Sequence, residues 1–301
     1  MIWALPMAAL LNDGRLHLQH GPIDLIIEAF ADAPREMALA YEQASIRFSG
    51  LLESLAAGLP VLRAPIGNTF PIFSDPIAKR MARAVWPYRD EFITPMAAVA
   101  GAVADEMVQA LVAGRNLRRA YVNNGGDIAL YISPGEEFQI GIAGIEDAGL
   151  KGQFTFRTED NLCGIATSGW RGRSFSRGIA DSVTVVAENA AMADAAATMI
   201  ANAVNVDHHG IERVRACDIQ AESDLGLLLV TRDVPLLSRT AIDVALDAGA
   251  RVANHYFQQN LIGRAALRSQ GQIRLVGDDC VTPRPSKCHS ERSEESAFVL
   301  G

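Results

Sequence analysis

The 301-residue chain has few cysteines and no apolar run long enough to cross a membrane. Its four cysteines, Cys163, Cys217, Cys280 and Cys288, are widely scattered, so neither a disulfide framework nor a cysteine metal site is indicated. A spanning helix needs about 18 consecutive apolar residues, which occur nowhere in this sequence. We therefore expect a cytoplasmic protein that does not enter the membrane.

Charge and several well-known catalytic motifs are also scarce. Only 21% of residues are charged and the net charge is −8, which argues against a general nucleic-acid binder. Neither Walker nor Rossmann glycine spacing, nor an HExxH motif, nor a Ser–His–Asp order is found. His17 and His20, three apart in a strand-like segment, must face opposite sides. The histidines therefore carry no recognisable catalytic pattern.

Hydrophobic residues are abundant, at 49%, so most of the chain can form a packed core. We predict a single α+β domain over residues 1–281 and a disordered tail over 282–301, which lacks periodicity. Met1 to Leu11 is either a strand or a poor signal peptide, and the strand is favoured. The main helices are predicted at 34–57, 77–86, 95–113, 189–204 and 238–257, and the strands lie between them, mostly from 120 to 187.

The most informative segment is an alanine-rich helix that follows the apolar strand Val183 to Ala187. Asp194, Thr198 and Asn202 recur every four residues in it and so share one face. A carboxylate with a hydroxyl one turn away offers two oxygen ligands to a cation such as Mg²⁺. The alternative is a solvent-facing polar stripe. The absence of Lys, Arg and Glu from this face favours the metal site.

Two loops could bind a ligand. Asn123–Asp127 reads Asn-Asn-Gly-Gly-Asp, and its glycines leave the backbone accessible, although an ordinary hairpin turn has the same signature. The segment Gly164–Ser174 ends a strand and then offers hydroxyl groups, Arg171 and Arg173. The arginines could hold a pyrophosphate and Trp170 could stack on a flat ring, or the segment is only a basic surface loop.

Taken in order, these segments resemble the ApbE-like superfamily: Pro95–Asp105, Val122–Ile128, Gly164–Gly169, and the strand and helix that contain Ala193–Thr198. Characterised members of that superfamily are Mg²⁺-dependent transferases, which move FMN from FAD onto a Thr or Ser of a target protein. The residues of these motifs are most similar to those of an uncharacterised branch of the superfamily. The resemblance implies an ApbE-like fold, with mixed sheets flanked by alanine-rich helices.

The resemblance also implies roles for individual residues. Asp194 and Thr198 would bind Mg²⁺, completed by a backbone carbonyl near Val99 or Ala100. The flavin or adenine pocket and the phosphate site would be lined by Asn124, Gly125, Gly126, Asp127, Thr167 and Ser168.

Three features depart from the transferases. Ala100 stands where they carry a Lys, and a His-Ile-Ile-Asp-Pro-type segment is replaced by Trp170–Asp181. Most transferases are exported, whereas we expect this chain not to be. The metal site is therefore better supported than the transfer chemistry.

We expect a Mg²⁺-dependent flavin-nucleotide enzyme that transfers FMN or cleaves the FAD pyrophosphate. A non-catalytic flavin or nucleotide binder and an enzyme for another substrate class remain alternatives. The expected partners are a flavin nucleotide and an unidentified protein acceptor. The question of a homo-oligomer stays open.

Overall fold

The computed structural model describes residues 4–143, 150–277 and 298–300. The strands are β1 (Met7–Leu10), β2 (Leu16–His20), β3 (Ile23–Phe30), β4 (Arg119–Asn124), β5 (Asp127–Ile132), β6 (Glu137–Ala143), β7 (Leu150–Arg157), β8 (Gly164–Ser168), β9 (Ser182–Ala187), β10 (Glu212–Arg215), β11 (Leu229–Asp233), β12 (Arg264–Ser269), β13 (Gln272–Val276) and β14 (Phe298–Leu300). The helices are α1 (Pro34–Phe48), α2 (Leu51–Ala57), α3 (Leu59–Leu62), α4 (Pro76–Val85), α5 (Val99–Val112), α6 (Ala190–Ala203), α7 (Ala216–Ile219) and α8 (Arg239–Gln258).

Nine strands form one large sheet in the order β1-β2-β3-β4-β5-β8-β9-β12-β13, with antiparallel neighbours throughout. A second sheet, β14-β6-β7, is mixed, because β14 runs parallel to β6. β10 and β11 form a separate ribbon. Together with the helices this confirms the predicted α+β class.

The large sheet is covered on both faces, which explains why its central strands are apolar on both sides. In β3, Leu25 and Ile27 belong to the core under the helices, whereas Ile26 packs into a second core on the opposite face. That second core includes Phe138 and Phe154 from the small sheet. The middle of the large sheet therefore lies between a helical layer and a β-layer.

Helix α6 lies unusually close to its neighbours because its buried face is almost wholly alanine. A Cβ atom added to Gly101 on α5 would lie 2.2 Å from the carbonyl oxygen of Ala190. A Cβ atom added to Gly164 on β8 would lie 1.9 Å from the carbonyl carbon of Asn189. The start of α6 therefore touches a helix and a strand at backbone distance.

The predicted helices are confirmed, with two changes at their ends. The predicted 34–57 helix is broken between α1 and α2, since Gly50 adopts a left-handed φ of 79° that ends the regular turns. The predicted 95–113 helix begins as a 3-10 turn, Pro95–Ala98, before α5. The short elements α3, α7 and β10 were not predicted, because four residues are too few to show periodicity.

Both chain ends lie partly outside the described residues. The predicted N-terminal strand is described from Met7 as β1, and residues 1–3 lie outside the description. The predicted disordered tail falls mostly on residues 278–297, which are also outside it, and Phe298–Leu300 is described as β14. The single-domain prediction for 1–281 thus stays a prediction.

One described stretch, Pro95–Val112, is long and apolar enough by composition alone to cross a membrane. More than half of it, 56%, is buried inside the fold, where α5 packs against α1, α6 and the sheet. Burial and packing of this kind are typical of a core helix.

Replacing Gly101 with alanine should destabilise the protein by about 2 kcal/mol or more, because the new methyl group would overlap the Ala190 carbonyl. Urea unfolding measures this free energy. G67A is the matched control, since a Cβ atom there meets nothing within 4 Å. Equal stability of G101A and G67A would show that α5 and α6 are not so close.

Candidate metal and nucleotide site

A cavity of about 1100 Å³ opens where the large sheet meets the helical layer. Strands β5 and β8 pair only at Ile128–Ile165 and Ala129–Gly164 and then separate. The cavity brings together ten residues that the sequence suggested for the site: Asn124, Gly125, Gly126, Asp127, Thr167, Ser168, Arg171, Arg173, Asp194 and Thr198. Residues more than 70 positions apart in the chain thus share one cavity.

Asp194 and Thr198 face this cavity from α6, half-buried between fully buried alanines. The Asp194 Oδ2 atom accepts a hydrogen bond from the backbone N–H of Gly101 at 3.1 Å. Asn202 does not share this role, because its Oδ1 atom accepts the backbone N–H of Arg177 at 2.8 Å and so fixes a loop. The polar stripe is therefore neither a solvent face nor one continuous site.

Asp127 is the first residue of β5, next to Ile128, where the pairing with β8 begins. Its Oδ1 atom accepts the backbone N–H of Thr167 at 3.2 Å, across the gap between the strands. The Thr167 hydroxyl is used elsewhere, since it shares a 2.9 Å hydrogen bond with the hydroxyl of Thr184. Asp127 is thus held in place through one carboxylate oxygen, and its carboxylate forms no ion pair within the described ranges.

Asp127 and Asp194 influence each other electrostatically. Burial raises the pKa of Asp127 to about 7, although the Thr167 N–H opposes the shift. Burial also raises the pKa of Asp194 well above its ordinary value, and the negative charge of Asp127 raises it further. In the described part of the chain, neither carboxylate has a cationic side chain within ion-pair distance. Two carboxylates that interact in this way without a counter-charge form an environment that favours a cation.

The Asn-Gly-Gly-Asp segment is a tight hairpin turn between β4 and β5, and it also lines the cavity. Gly125 and Gly126 adopt φ values of 66° and 113°, which favour glycine. The buried Asn124 side chain donates its amide N–H to the carbonyl oxygen of Ala100 at 3.0 Å. Both interpretations of this segment from the sequence are thus compatible: it is a hairpin turn and part of the cavity wall.

The two arginines of the next loop differ in their surroundings. Arg171 forms an ion pair with Asp181 at 3.3 Å, and its guanidinium lies 5.1 Å from the ring centroid of Trp170. Asp181 also accepts the indole N–H of Trp170 and the backbone N–H of Gln270. This network anchors the loop to β12, so Trp170 is engaged rather than free to stack on a ligand.

Arg173 is exposed at the cavity and has no ion pair within the described ranges. Its guanidinium nitrogen would lie 3.3 Å from a Cβ atom added to Gly125, so it covers the glycine turn. A free guanidinium beside an exposed backbone turn suits an anionic group such as a phosphate.

Asp105 is a site-supporting residue that the sequence did not reveal as such. Its carboxylate accepts the backbone N–H groups of Ala190 at 2.9 Å and Ala191 at 3.0 Å, at the start of α6. Burial raises the pKa of Asp105, opposed by these two hydrogen bonds. A lone Asp within a small-residue helix was the only signal, and it did not identify the partner.

Part of the cavity wall is aliphatic. It is contributed by α2 to α5 and the segment before α5, and includes Leu52, Leu55, Leu59, Leu62, Met81, Met96, Val99 and Val103. The cavity wall therefore has a polar part, which includes the Asp127 and Asp194 carboxylates and the Arg173 guanidinium, and an aliphatic part. This division suits a ligand with an anionic and a flat or apolar part.

A family model described as AbpE bacteria matches residues 8–275. The chain belongs to this family. It is 40% identical over 131 residues to a UPF0280 protein of Methanopyrus kandleri, covering 44% of this chain and 50% of the relative. It is 38% identical over 151 residues to a UPF0280 protein of Methanothrix thermoacetophila, covering 50% of this chain and 56% of the relative. The chain spans about half the length of the curated relatives it matches.

Two solved structures are distantly similar. Pseudomonas stutzeri flavinyl transferase ApbE in its apo form gives a TM-score of 0.41 at 10% identity, covering 92% of this chain and 96% of that one. Flavin transferase ApbE from Vibrio cholerae gives 0.37 at 12% identity, covering 92% and 98%. Similarity at this distance does not extend to ligand or reaction.

The raised pKa of Asp127 predicts a pH-dependent stability of the metal-free protein. The folded state holds this proton more tightly than the unfolded chain, so the group stabilises the fold at low pH. That contribution is lost as the pH rises through about 7. We expect D127N to weaken the decline in Tm between about pH 5 and 8 by a few °C.

Thermal unfolding in the presence of EDTA measures this dependence. D207N is the control, since Asp207 is exposed. The same pH dependence in D127N as in the unaltered protein would contradict the assignment.

Proposed function

We propose that this protein is a Mg²⁺-dependent enzyme that cleaves the pyrophosphate of FAD and transfers the FMN group to an acceptor hydroxyl or to water. The observation that carries the proposal is the meeting of Asp127, Asp194 and Thr198 with the glycine turn and Arg173 in one cavity. Membership of the AbpE bacteria family supports a relationship between this protein and flavin transferases. Substrate, acceptor and metal are part of the proposal.

The donor set fits a hard divalent cation. Asp194 and Thr198 offer a carboxylate and a hydroxyl one helical turn apart, and the facing Asp127 carboxylate lacks a cationic partner among the described residues. The Ala100 carbonyl, already bound by Asn124, lies at the same part of the wall. A Mg²⁺ ion held there would offset the negative charge of the pyrophosphate and favour departure of AMP.

The remaining residues would orient the nucleotide. Arg173 would bind a phosphate oxygen at the glycine turn, and Ser168 offers a hydroxyl at the same end of the cavity. The aliphatic wall around Leu55 and Met96 would contact the flat flavin ring and exclude water from one side of it. Arg171 would act indirectly, because its pairing with Asp181 fixes the loop that carries Arg173.

A non-catalytic flavin or nucleotide binder is the second candidate. It is favoured by Ala100, which lines the cavity where the resembling transferases carry a Lys. Both candidates require FAD binding, and only the first requires AMP to be released.

Titration with FAD, followed by flavin fluorescence, tests binding in Mg²⁺ and then in EDTA, and chromatography detects AMP. We expect Mg²⁺-dependent binding and slow AMP release by the unaltered protein. D194A should weaken Mg²⁺-dependent binding about 10- to 100-fold, because it removes the only metal-directed carboxylate of α6. D207A, at an exposed position, is the control.

Binding that is the same in Mg²⁺ and EDTA would contradict the metal site. Binding without AMP release, with every acceptor tested, would favour the binder.

The contrast between the two arginines gives a separate prediction. R173A should raise the Kd for FAD about 10-fold or more with an unchanged Tm, because it removes a free guanidinium from the phosphate end. R171A should lower the Tm, since it leaves Asp181 with an ion pair missing. Fluorescence titration and thermal unfolding measure both effects. An unchanged Kd in R173A would contradict the phosphate role.

A further inference from the structure

A histidine–carboxylate pair lies in the wall of the same cavity, on strands that the sequence motifs do not include. The Nε2 atom of His17 on β2 is 2.8 Å from Oδ1 of Asp24 on β3. Both residues line the cavity, and the exposed fractions of their side chains are 24% and 48%. The pair is therefore held in place and accessible.

The hydrogen bond defines which ring nitrogen is available. An ionised carboxylate only accepts hydrogen bonds, so Nε2 of His17 is the donor to Asp24. The other ring nitrogen, Nδ1, has no hydrogen-bond partner among the residues that the structure describes. A neutral imidazole in this tautomer presents a free lone pair at Nδ1, as a proton acceptor requires.

The sheet register places this pair beside the glycine turn. His17 is opposite Ile26 on β3, and Ile26 is opposite Asn123 on β4. Neighbouring strands are about 4.8 Å apart, so His17 lies roughly 10 Å from Asn123 along one row of the sheet. Leu25 is opposite Asn124. Because β3 and β4 are antiparallel, the preceding residue Asp24 is level with Gly125. The guanidinium of Arg173 lies beside Gly125. The pair thus lies within two strands of the glycine turn that Arg173 covers.

The pair also lies on the other face of the sheet from the proposed metal ligands. In β3, Leu25 and Ile27 face the helical core, and Asp24 alternates with them to the opposite face. Asp194 approaches from α6 in the helical layer. Residues from both faces, Asp24 and Asp194 among them, line the same cavity. A phosphoryl group bound at the turn could be reached from one side by the cation and from the other by a nucleophile.

We infer that His17 is the general base for the hydroxyl that attacks the flavin phosphate, and that Asp24 orients its imidazole. This rests on the proposed function. The attacking group is an O–H nucleophile, either water or a hydroxyl of an acceptor.

Proton transfer to His17 accompanies the formation of the new phosphorus–oxygen bond. The nucleophile's proton moves to Nδ1 of His17, and its oxygen forms a bond to the phosphorus of the FMN group. The bond from that phosphorus to the bridging oxygen breaks, and AMP leaves with the bonding electron pair. The imidazolium then returns its proton to solvent. Free FMN results from water, and an FMN ester results from an alcohol.

The test compares H17A, D24N and H209A in FAD binding, AMP release and thermal unfolding, with Mg²⁺ present. H209A is the matched control, since His209 is exposed and does not line the cavity. Water alone and water with methanol serve as the two nucleophile sources, and the products are free FMN and its methyl ester. Added imidazole tests whether the missing base of H17A can be replaced.

We expect H17A to bind FAD within about twofold of the unaltered protein and to release AMP about 100-fold or more slowly. Imidazole should restore part of that rate in H17A and none in D194A. D24N should show a smaller loss, because the imidazole remains but is less well oriented. Both products should decrease together in H17A, whereas H209A should behave as the unaltered protein does.

Equal AMP release by H17A and H209A, with normal FAD binding, would overturn the role of His17 and leave the proposed function intact. A loss in H17A that imidazole does not restore would show that His17 acts structurally and would also overturn it. Absence of FAD binding by the unaltered protein would overturn both, and the binding titration separates this outcome from the other two.

Discussion

The close approach of α6 to α5 and β8 is the constraint on which the rest of the site depends. Gly101 and Gly164 allow backbone contact at the start of α6, and Asp105 binds two of its first N–H groups. The position of the helix fixes that of Asp194, whose carboxylate accepts the Gly101 N–H. Alanine is required along the helix for the same reason, since larger side chains would hold it away from the sheet.

This arrangement places negative charge where the protein supplies little to balance it. Asp194 on the helix and Asp127 at the end of β5 belong to different layers, yet each influences the ionisation of the other. Burial of two neighbouring carboxylates is unfavourable, because each charge loses its hydration. A bound divalent cation would compensate both negative charges. Arg173 and the glycine turn then extend the polar end of the cavity towards an anionic ligand.

Much of the fold and of the site could be predicted from the sequence, because periodicity indicates which residues share a face of a helix or strand. The four-residue spacing of Asp194 and Thr198 was sufficient to group them, and glycine pairs marked the turn at Gly125. The α+β class and most helix and strand positions followed from the same patterns.

Contacts between distant segments could not be predicted in this way. Periodicity does not show that Asn202 binds the Arg177 backbone or that Asp105 binds the start of α6. It also cannot separate Arg171, paired with Asp181, from Arg173, which lacks an ion pair in the described ranges. His17 had no visible pattern because its partner Asp24 is on the adjacent strand, and only the register brings them together.

The most direct test of the central claim is a crystal structure with Mn²⁺ in place of Mg²⁺, examined by anomalous diffraction. We predict one strong peak within about 2.5 Å of an Asp194 carboxylate oxygen and the Thr198 hydroxyl, with the Asp127 carboxylate turned towards it. A cavity without an anomalous peak at saturating Mn²⁺, or a peak bound only by residues elsewhere, would contradict it.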